Sequence, residues 1–314
     1  MRLLLLPDLH LRVKRPRMRL DVNYSVAQWH KVSQIFDIGV EEGCDYVLQP
    51  GDFFDSIDTP WSVVRIYIRL FRKYDLNVLA VRGQHDLRYH TRNVENIPLA
   101  VMEASGVVVV IPNHEFVIDE GVAVYGCSWN EEIPEIKDES KFNILVLHKM
   151  VVEDKTWEGQ EDFTYGKHMF RKYGYDLFVC GDNHKHFTFT HSTKSSPEVR
   201  HLVNCGSLMR ANIDQVDHTP CCYVFDTETK ELTQRLLKVK KNVLDIKGAS
   251  KDKKLRDERL EVLDTLAGVL DSIGDLGLNF FGNIKSGIKN SRLKKPVVDI
   301  IEEVMDSCGN KKSR

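Results

Sequence analysis

The chain has 314 residues, of which 42% are hydrophobic and 29% are charged, a balance typical of a globular protein with a substantial core. No apolar run approaches the roughly 20 residues that a membrane-spanning helix needs, so an integral membrane protein is excluded. Lys and Arg number 44 against 46 Asp and Glu, and the net charge of -2 excludes a generally basic nucleic-acid coat protein.

Short apolar segments alternate with helical ones over the first three quarters of the chain, which predicts an α/β domain. We expect strands at residues 3–6, 46–49, 78–81, 107–111, 122–126, 144–147, 177–180, 202–205, 223–225 and 232–236. No long helix fits between the middle strands or between the last two, so antiparallel or mixed pairing is expected there.

Two helices are predicted between the early strands. The first has an apolar face formed by residues at three- and four-residue spacing: Val26, Trp29, Val32, Phe36 and Val40. The second begins at Thr59-Pro60, a capping residue followed by a proline, and should bury Val63, Tyr67 and Leu70.

The composition changes near residue 238, which divides the chain into a predicted main domain, 1–238, and a C-terminal segment, 239–314. The segment begins with a lysine-rich stretch. Two amphipathic helices follow, with apolar faces formed by Leu260, Leu263, Leu266, Leu270 and Ile273, and by Val297, Ile300, Ile301, Val304 and Met305.

The seven cysteines are odd in number and show no CxxC spacing. Most of them lie in apolar runs, which predicts reduced thiols in a cytosol-like compartment. Residues 1–6 are too short for a secretory signal, and we expect them to form a first strand.

Five predicted strands are each followed by metal-type ligands. These are Asp8 and His10, Asp52 and Asp55, Gln84 with His85 and Asp86, His148, and Asp182 with His184 and His186. The carboxyl ends of strands in an α/β sheet meet at one edge, so these side chains can share one crevice. Mixed oxygen and nitrogen ligands suit manganese, iron or zinc, and a carboxylate between two ions supports in-line displacement at phosphorus. Gly51, Gly83 and Gly181 precede ligands where the backbone must turn without a Cβ in the way.

The order and spacing of these residues resemble the calcineurin-like metallophosphoesterases. That family has the pattern D-x-H, G-D-x-x-D, G-N-H-D/E, a lone H and G-H-x-H. The matching segments here are Asp8-x-His10, Gly51-Asp52-x-x-Asp55, Gly83-Gln84-His85-Asp86, His148 and Gly181-Asp182-x-His184. The resemblance implies a four-layer αββα sandwich with a small C-terminal cap or helical segment, and two divalent metal ions, Mn2+ or alternatively Mg2+.

The resemblance also implies which residues bind each ion. One ion would take Asp8, His10, Asp52 and His184. The other would take Asp52, Gln84, His148 and Asp182, with Asp52 as the bridge. His85 would face the scissile phosphate, Asp86 would orient it, and Asp55 would support Asp8 or Asp52.

Two positions depart from the family pattern. Gln84 replaces an asparagine, so its longer amide either reaches the ion by another rotamer or only hydrogen-bonds a water on it. Asp182 replaces a histidine and should favour harder ions. In an alternative register His184 pairs with His186 instead, but Asp182 is preferred because Gly181 then precedes the first ligand.

The sequence after Asp55 reads Ser56-Ile57 and lacks the arginine and glycine of the protein-phosphatase branch. The chain is more similar to the SbcD-type DNA nuclease subunit and its bacteriophage counterparts, a likeness that includes the segment from Asn204 to Arg210. This implies an exonuclease or endonuclease subunit of an SbcCD-type DNA repair and recombination complex, acting through a hydroxide that bridges two metals. It further implies a homodimer, an SbcC-type coiled-coil ATPase partner docked on the C-terminal segment, and the cytoplasm of a bacterial cell, with a phage gene as an alternative origin.

A run of cations directly follows the first motif: Arg12, Lys14, Arg15, Arg17 and Arg19. We expect this basic loop to contact DNA phosphates without sequence preference, with Arg82, Arg88 and Arg92 as an extension. Two alternatives remain open. One is a small-molecule or nucleotide phosphodiesterase, and the other is a non-catalytic scaffold on the same fold.

Overall fold

The computed structural model describes residues 1–87, 94–154, 162–192, 199–248 and the single residue Val298. The chain divides into two compact units, Met1–Asp245 and Ile246–Arg314. Both predicted C-terminal helices fall almost wholly outside the described residues. The predicted boundary at residue 238 and the docking of an ATPase on residues 239–314 therefore stay predictions.

The first unit contains helices and strands in a mixed order. The helices are α1 (Tyr24–Glu41), α2 (Trp61–Tyr74), α3 (Pro98–Ala104) and α4 (Gly166–Lys172). The strands are β1 (Arg2–Leu5), β2 (Tyr46–Gln49), β3 (Asn77–Ala80), β4 (Val109–Val110), β5 (Phe116–Asp119), β6 (Val122–Cys127), β7 (Phe142–His148), β8 (Val151–Val152), β9 (Thr164–Tyr165), β10 (Leu177–Gly181), β11 (Phe187–His191), β12 (Arg200–Asn204), β13 (Cys221–Asp226) and β14 (Leu232–Leu236).

The strands form two large sheets of six strands each and one small pair, β8 with β9. The first sheet has the order β14-β13-β1-β2-β3-β4, with β1 to β4 parallel and β13 and β14 added antiparallel. The second has the order β11-β12-β10-β7-β6-β5, with parallel central strands and antiparallel edges. The pairing expected for the last two strands is confirmed, since β13 and β14 are antiparallel. For the middle strands the expectation holds for β6, which pairs antiparallel with β5 and parallel with β7. It is wrong for β4, which pairs parallel with β3 and lies in the other sheet.

Alternation along the strands assigns side chains to three apolar layers. In β1, Leu4 packs with Phe36 in a cluster between the first sheet and its helices. Its neighbour Leu5 packs with Val146 in a second cluster between the two sheets. A third cluster joins the outer face of the second sheet to α4 through Met169. The fold is the mixed α/β sandwich that was expected, with helices outside two packed sheets.

The buried face of α1 differs from the predicted one. Val32 and Phe36 are buried, but Val26 and Val40 are 47% and 54% exposed. The face turns instead toward Gln28, which is fully buried because its amide donates to the carbonyl oxygens of Leu9 and His10. In α2, which begins one residue after Pro60, the predicted residues Val63, Tyr67 and Leu70 are buried.

Several short elements were not predicted: strands β5, β8, β9 and β11, and helices α3 and α4. Strand β11 alternates buried and exposed residues, a pattern that its sequence, with Phe187 and Phe189 separated by threonine, already carries. Cys44, Cys127, Cys180, Cys205, Cys221 and Cys222 are buried free thiols, as expected. None of the helices within the described ranges has the length and apolar character that crossing a bilayer requires.

Candidate metal centre

The predicted ligands come together at the carboxyl ends of five strands. In the first sheet, the loop after β1 carries Asp8 and His10, the loop after β2 carries Asp52, and a 3-10 turn after β3 carries Gln84. In the second sheet, His148 is the last residue of β7, and the segment after β10 carries Asp182 and His184. The two sheets present these ends on the same side, which is the convergence that parallel strands allow.

One half of the cluster is built around two imidazoles. The Nε2 atoms of His10 and His184 are 3.0 Å apart, and His184 Nε2 is 4.0 Å from Asp8 Oδ2. Ligand atoms of Asp8, His10 and His184 all lie within 4.8 Å of one another. Two imidazole nitrogens that each bind the same ion at about 2.1 Å lie about 3 Å from one another, as these two do. The three side chains therefore fit a single cation.

The other half shares Asp52 with the first. Asp52 Oδ2 is 3.5 Å from His10 Nε2 and 3.5 Å from His148 Nε2, so one oxygen lies between the two halves. His148 Nε2 is also 4.0 Å from Asp182 Oδ1. Gln84 Nε2 donates to the same Asp182 oxygen at 2.7 Å, which ties the substituted amide to the substituted carboxylate.

Several polar atoms in this cluster are buried without a hydrogen-bond partner among the described residues: Asp8 Oδ1, Asp52 Oδ2, Gln84 Oε1 and His148 Nε2. Such an atom costs roughly 1–3 kcal/mol of folding free energy when nothing satisfies it. Carboxylate and amide oxygens mixed with imidazole nitrogens are donors that divalent first-row metals accept. The residues therefore fit divalent cations on both sides of Asp52.

The positions of Asp182 and His186 bear on the two alternative registers. Asp182 and His184 both lie in the cluster, whereas the ring of His186 lies beside that of His218, with 5.6 Å between their centroids. This arrangement favours Asp182 over His186 as the ligand.

An outer contact orients the imidazole of His148, and the Asp55 carboxylate lies near that of His10. The Nδ1 atom of His148 is 2.7 Å from the carbonyl oxygen of Pro50, which leaves Nε2 facing the cluster. The Nδ1 atom of His10 is 3.9 Å from Asp55 Oδ1, which is too far for a hydrogen bond, and the same Asp55 oxygen accepts a 2.5 Å bond from Arg12. The expectation that Asp55 supports Asp8 or Asp52 is corrected, because its carboxylate lies against His10.

The expected pairing of His85 with Asp86 is also corrected. His85 Nδ1 is 2.9 Å from the carbonyl oxygen of Asp55. The Asp86 carboxylate is buried and accepts from the backbone N–H groups of Phe53, Phe54 and Gly83. Asp86 therefore fixes the loop backbone around Asp52, since its oxygens are occupied by these three donors.

The backbone near the ligands is unusual. His10, Asp52 and Asp182 have φ values of 44°, 50° and 77°, in the left-handed region that costs non-glycine residues energy and is concentrated at functional sites. Gly83 has an ordinary negative φ, but a Cβ there would lie 2.1 Å from Asp52 Oδ1. Its lack of a side chain is required by close approach to Asp52 and not by its own turn.

Two buried amides hold the ligand loops, and their positioning roles were missed. Besides Gln28, the Asn204 side chain donates at 2.7 Å to the carbonyl oxygens of Asn183 and Lys185, on both sides of His184. The residues after Asn204 also hold Asp8, whose N–H donates to the carbonyl oxygen of Gly206. The sequence signal for Gln28 is a polar residue within the apolar face of α1, whereas the sequence indicates the Asn204 segment only through the family likeness.

The basic loop is less available than its sequence indicates. Arg19 is only 5% exposed, pairs with Asp21 at 2.7 Å and donates to the carbonyl oxygen of Arg210, so its assignment to DNA binding is corrected. Arg12 is paired with Asp55. Lys14, Arg15 and Arg17 are exposed residues. Of the expected extension, Arg82 lies 3.8 Å from Glu103, while Arg88 and Arg92 are outside the described residues.

Burial and charge move the pKa values of the ligands in opposite directions. Burial alone would lower the pKa of His148, but the Asp52 carboxylate beside it raises that pKa to about 10. Burial lowers the pKa of His10 to about 3. Burial raises the pKa of Asp8 well above its usual range. Without a cation, the site therefore holds a proton on His148 that a metal ion would replace.

Comparison with known proteins identifies the family. No curated protein matches the chain. The solved structure of TT1561 from Thermus thermophilus is similar at 11% identity and a TM-score of 0.47, covering 76% of this chain and 99% of that one. A second solved structure is similar at 10% identity with the same TM-score and coverage. The model of the calcineurin-like phosphoesterases matches residues 1–186, a range that contains every ligand described above. The chain therefore belongs to the calcineurin-like phosphoesterase family, whose members hydrolyse phosphoesters with the help of divalent metal ions.

Proposed function

We propose that this protein is a metal-dependent phosphodiesterase that hydrolyses DNA. The observation that carries the hydrolytic part is the position of Asp52 Oδ2, which is 3.5 Å from the Nε2 atoms of both His10 and His148. A carboxylate placed between two ligand sets suits a pair of cations. When bound, such ions supply charge stabilisation at phosphorus and an activated water nucleophile.

The protein side chains divide the remaining work. Asp8, His10 and His184 would hold one ion, and Gln84, His148 and Asp182 the other, with Asp52 shared between them. His85 is not needed as a ligand. Its side chain is 44% exposed and its Nε2 atom is 4.0 Å from Asp52 Oδ2, so the ring stands between the cluster and solvent. From there it can donate a proton to the leaving oxygen of a bound phosphodiester.

Two features support DNA as the substrate. Lys14, Arg15 and Arg17 are exposed on the loop that directly follows His10, where they can contact phosphates beside the scissile one. The spacing of the motifs and the Asn204 segment resemble the SbcD-type nuclease subunit. The homodimer and the SbcC-type ATPase partner belong to this proposal through the same resemblance, as do both exonucleolytic and endonucleolytic cleavage.

A second candidate is a phosphodiesterase for small molecules or nucleotides. It is favoured by the internal pairing of Arg12 with Asp55 and of Arg19 with Asp21, which removes two cations from the surface of the basic loop. A small substrate would need neither the loop nor the C-terminal segment.

The test is release of end label from linear duplex and single-stranded DNA, with Mn2+, with Mg2+ and with chelator, beside hydrolysis of bis(p-nitrophenyl) phosphate. The proposal predicts cleavage of DNA that chelator abolishes. Hydrolysis of the small diester without cleavage of either DNA would support the second candidate. No hydrolysis of any substrate under all metal conditions would contradict both and favour a scaffold.

A further inference from the structure

A large cavity opens beside the metal centre. Its volume is about 1120 Å³, slightly above the roughly 300–1,000 Å³ of pockets that bind small ligands. His148 and Asp182 line one part of it, so the cavity is continuous with the ligands around Asp52. Its other walls come from the loop after β6 and from β9 and α4.

The lining is aromatic and acidic. Trp129, Phe163 and Tyr173 contribute half-buried aromatic side chains. Among the described residues of the wall, carboxylates outnumber lysines. Apart from Asp182 the carboxylates belong to Glu131, Glu132, Glu135, Glu139 and Asp162, and the lysines are Lys149 and Lys172. Because like charges repel, this wall disfavours a phosphodiester backbone. It suits instead a flat, uncharged group that carries N–H donors.

A nucleobase has this chemistry. Its face stacks on aromatic side chains whatever its identity, and its exocyclic amino groups donate to carboxylates. We propose that the cavity is a nucleobase subsite, which receives one unpaired base while the adjoining phosphodiester lies at the metal centre. This inference rests on the proposed function, in which a phosphodiester is cleaved at the metal centre. It adds the requirement that the nucleotide beside the cleaved bond is unpaired.

Two measurements test the subsite. The first uses saturation-transfer NMR to measure binding of deoxycytidine and deoxyadenosine to the full chain in the presence of chelator. Tetramethylammonium is measured in the same way, because an acidic and aromatic wall also suits an organic cation. This measurement needs no hydrolysis. The second is cleavage in Mn2+ of a labelled single strand with intact bases and of the same strand with abasic terminal residues.

The subsite predicts that both nucleosides bind and that the intact strand is cleaved more efficiently than the abasic one. Phe163→Ala should lower that preference and weaken nucleoside binding about tenfold, as expected for loss of one stacking contact. Phe163→Tyr should restore both because it keeps the ring. Trp61→Ala, which removes a 63% exposed ring on α2, serves as the matched control and should change neither.

Three outcomes would overturn the subsite. They are undetectable nucleoside binding by the wild-type chain, binding of tetramethylammonium in place of nucleosides, and equal cleavage of intact and abasic strands. Nucleoside binding without cleavage of any phosphodiester would keep the subsite and defeat the proposed function.

Discussion

His85 Nδ1 lies 2.9 Å from the carbonyl oxygen of Asp55, so its other ring nitrogen, Nε2, is the one directed toward Asp52. A backbone carbonyl accepts from Nδ1–H and fixes the ring without adding a charge. The ring therefore depends on the fold of the loop after β2 for its orientation, and Asp86 acts on it only through the backbone that Asp86 holds.

The first prediction concerns this ring. His85→Gln should lower kcat for a phosphodiester by about 10²- to 10⁴-fold, because it removes a proton donor from the reaction and no metal ligand. Steady-state kinetics give kcat, and calorimetric titration with Mn2+ gives the metal affinity, which should stay the same. His114→Gln, at an exposed position away from the motifs, is the control. Loss of Mn2+ binding in His85→Gln would show that His85 is a ligand and contradict this assignment.

The second prediction is the pH dependence of metal binding. The pKa of His148 in the folded, metal-free chain is about 10, above its ordinary value of 6.5. The ion pair with Asp52 thus stabilises the metal-free fold fully below about pH 6.5, and this contribution is lost as the pH rises through 10. A cation must displace the proton, so its affinity should increase up to about tenfold per pH unit between pH 7 and 9.

Isothermal titration with Mn2+ in two buffers of different ionisation enthalpy measures that displaced proton directly. Release of at least about one proton per chain at pH 7 is expected, because His148 must lose its proton and burial also raises the pKa of the ligand Asp8. His10 should release none because burial keeps its ring neutral, with a pKa of about 3. An affinity that does not change between pH 7 and 9 would show that His148 is already neutral in the metal-free protein.

A third prediction follows from the contact between Gly83 and Asp52. In Gly83→Ala the new Cβ would lie 2.1 Å from Asp52 Oδ1 and 2.3 Å from its backbone nitrogen, so Asp52 must shift. Overpacking of this kind costs about 1–3 kcal/mol of unfolding free energy, which urea denaturation measures. The increase in melting temperature on adding Mn2+ should also shrink, because Asp52 moves away from the other ligands.

Gly121→Ala is the matched control, since a Cβ there meets no atom within 4 Å. Its unfolding free energy should change by less than about 0.5 kcal/mol. Equal behaviour of the two alanine variants would mean that the loop after β3 can relax away from Asp52.

The placement of the ligands was predictable because it depends on strand order alone. Asp8, Asp52 and His148 follow or end short apolar runs. Parallel pairing places Asp8 and Asp52 at one edge of the first sheet and His148 beside Gly181 at an edge of the second, and the packing of the two sheets brings those edges together. The hydrogen-bond partners of individual side chains were not predictable in the same way. Whether Nδ1 of His85 meets the Asp86 carboxylate or the Asp55 carbonyl depends on a 3-10 turn, whose geometry the local sequence does not fix.

The sequence also did not predict which charged side chains are buried. Arg19 belongs to a run of cations that looks uniformly solvated, yet it is buried because Asp21, two residues later, neutralises it inside the fold. The exposure of Val26 and Val40 has a related cause. Helix α1 is oriented so that the polar Gln28 is buried, and a prediction based on the spacing of apolar residues does not include a polar residue on the buried face.

The fourth prediction tests the cations that remain exposed. Replacing Lys14 and Arg15 together by alanine should weaken binding of single-stranded and duplex DNA and lower the slope of log K against log salt by about 1.4–1.8, if each contacts one phosphate. Fluorescence anisotropy between 50 and 200 mM salt, roughly the range over which such contacts respond, measures the slope.

Lys73→Ala is the control for charge. Lys73 is an exposed cation in the last turn of α2, which leads to the amino end of β3 and hence to the sheet edge opposite the metal centre. Its loss should leave the salt dependence unchanged. Equal effects of the two replacements would indicate that DNA contacts the protein nonspecifically and would remove the basic loop from the proposed interface.

The most direct test of the metal centre is the number of Mn2+ ions bound per chain, measured by elemental analysis and electron paramagnetic resonance for the wild type and for Asp52→Asn. The wild type should bind two ions with a coupled spectrum, because Asp52 Oδ2 is 3.5 Å from both His10 and His148. Asp52→Asn should lose the coupled signal, and its rate of phosphodiester hydrolysis should fall more than about 100-fold. A fall of that size exceeds the effect of losing an outer contact of a metal ligand. A single ion in the wild type, or the same spectrum in both proteins, would contradict a centre bridged by Asp52.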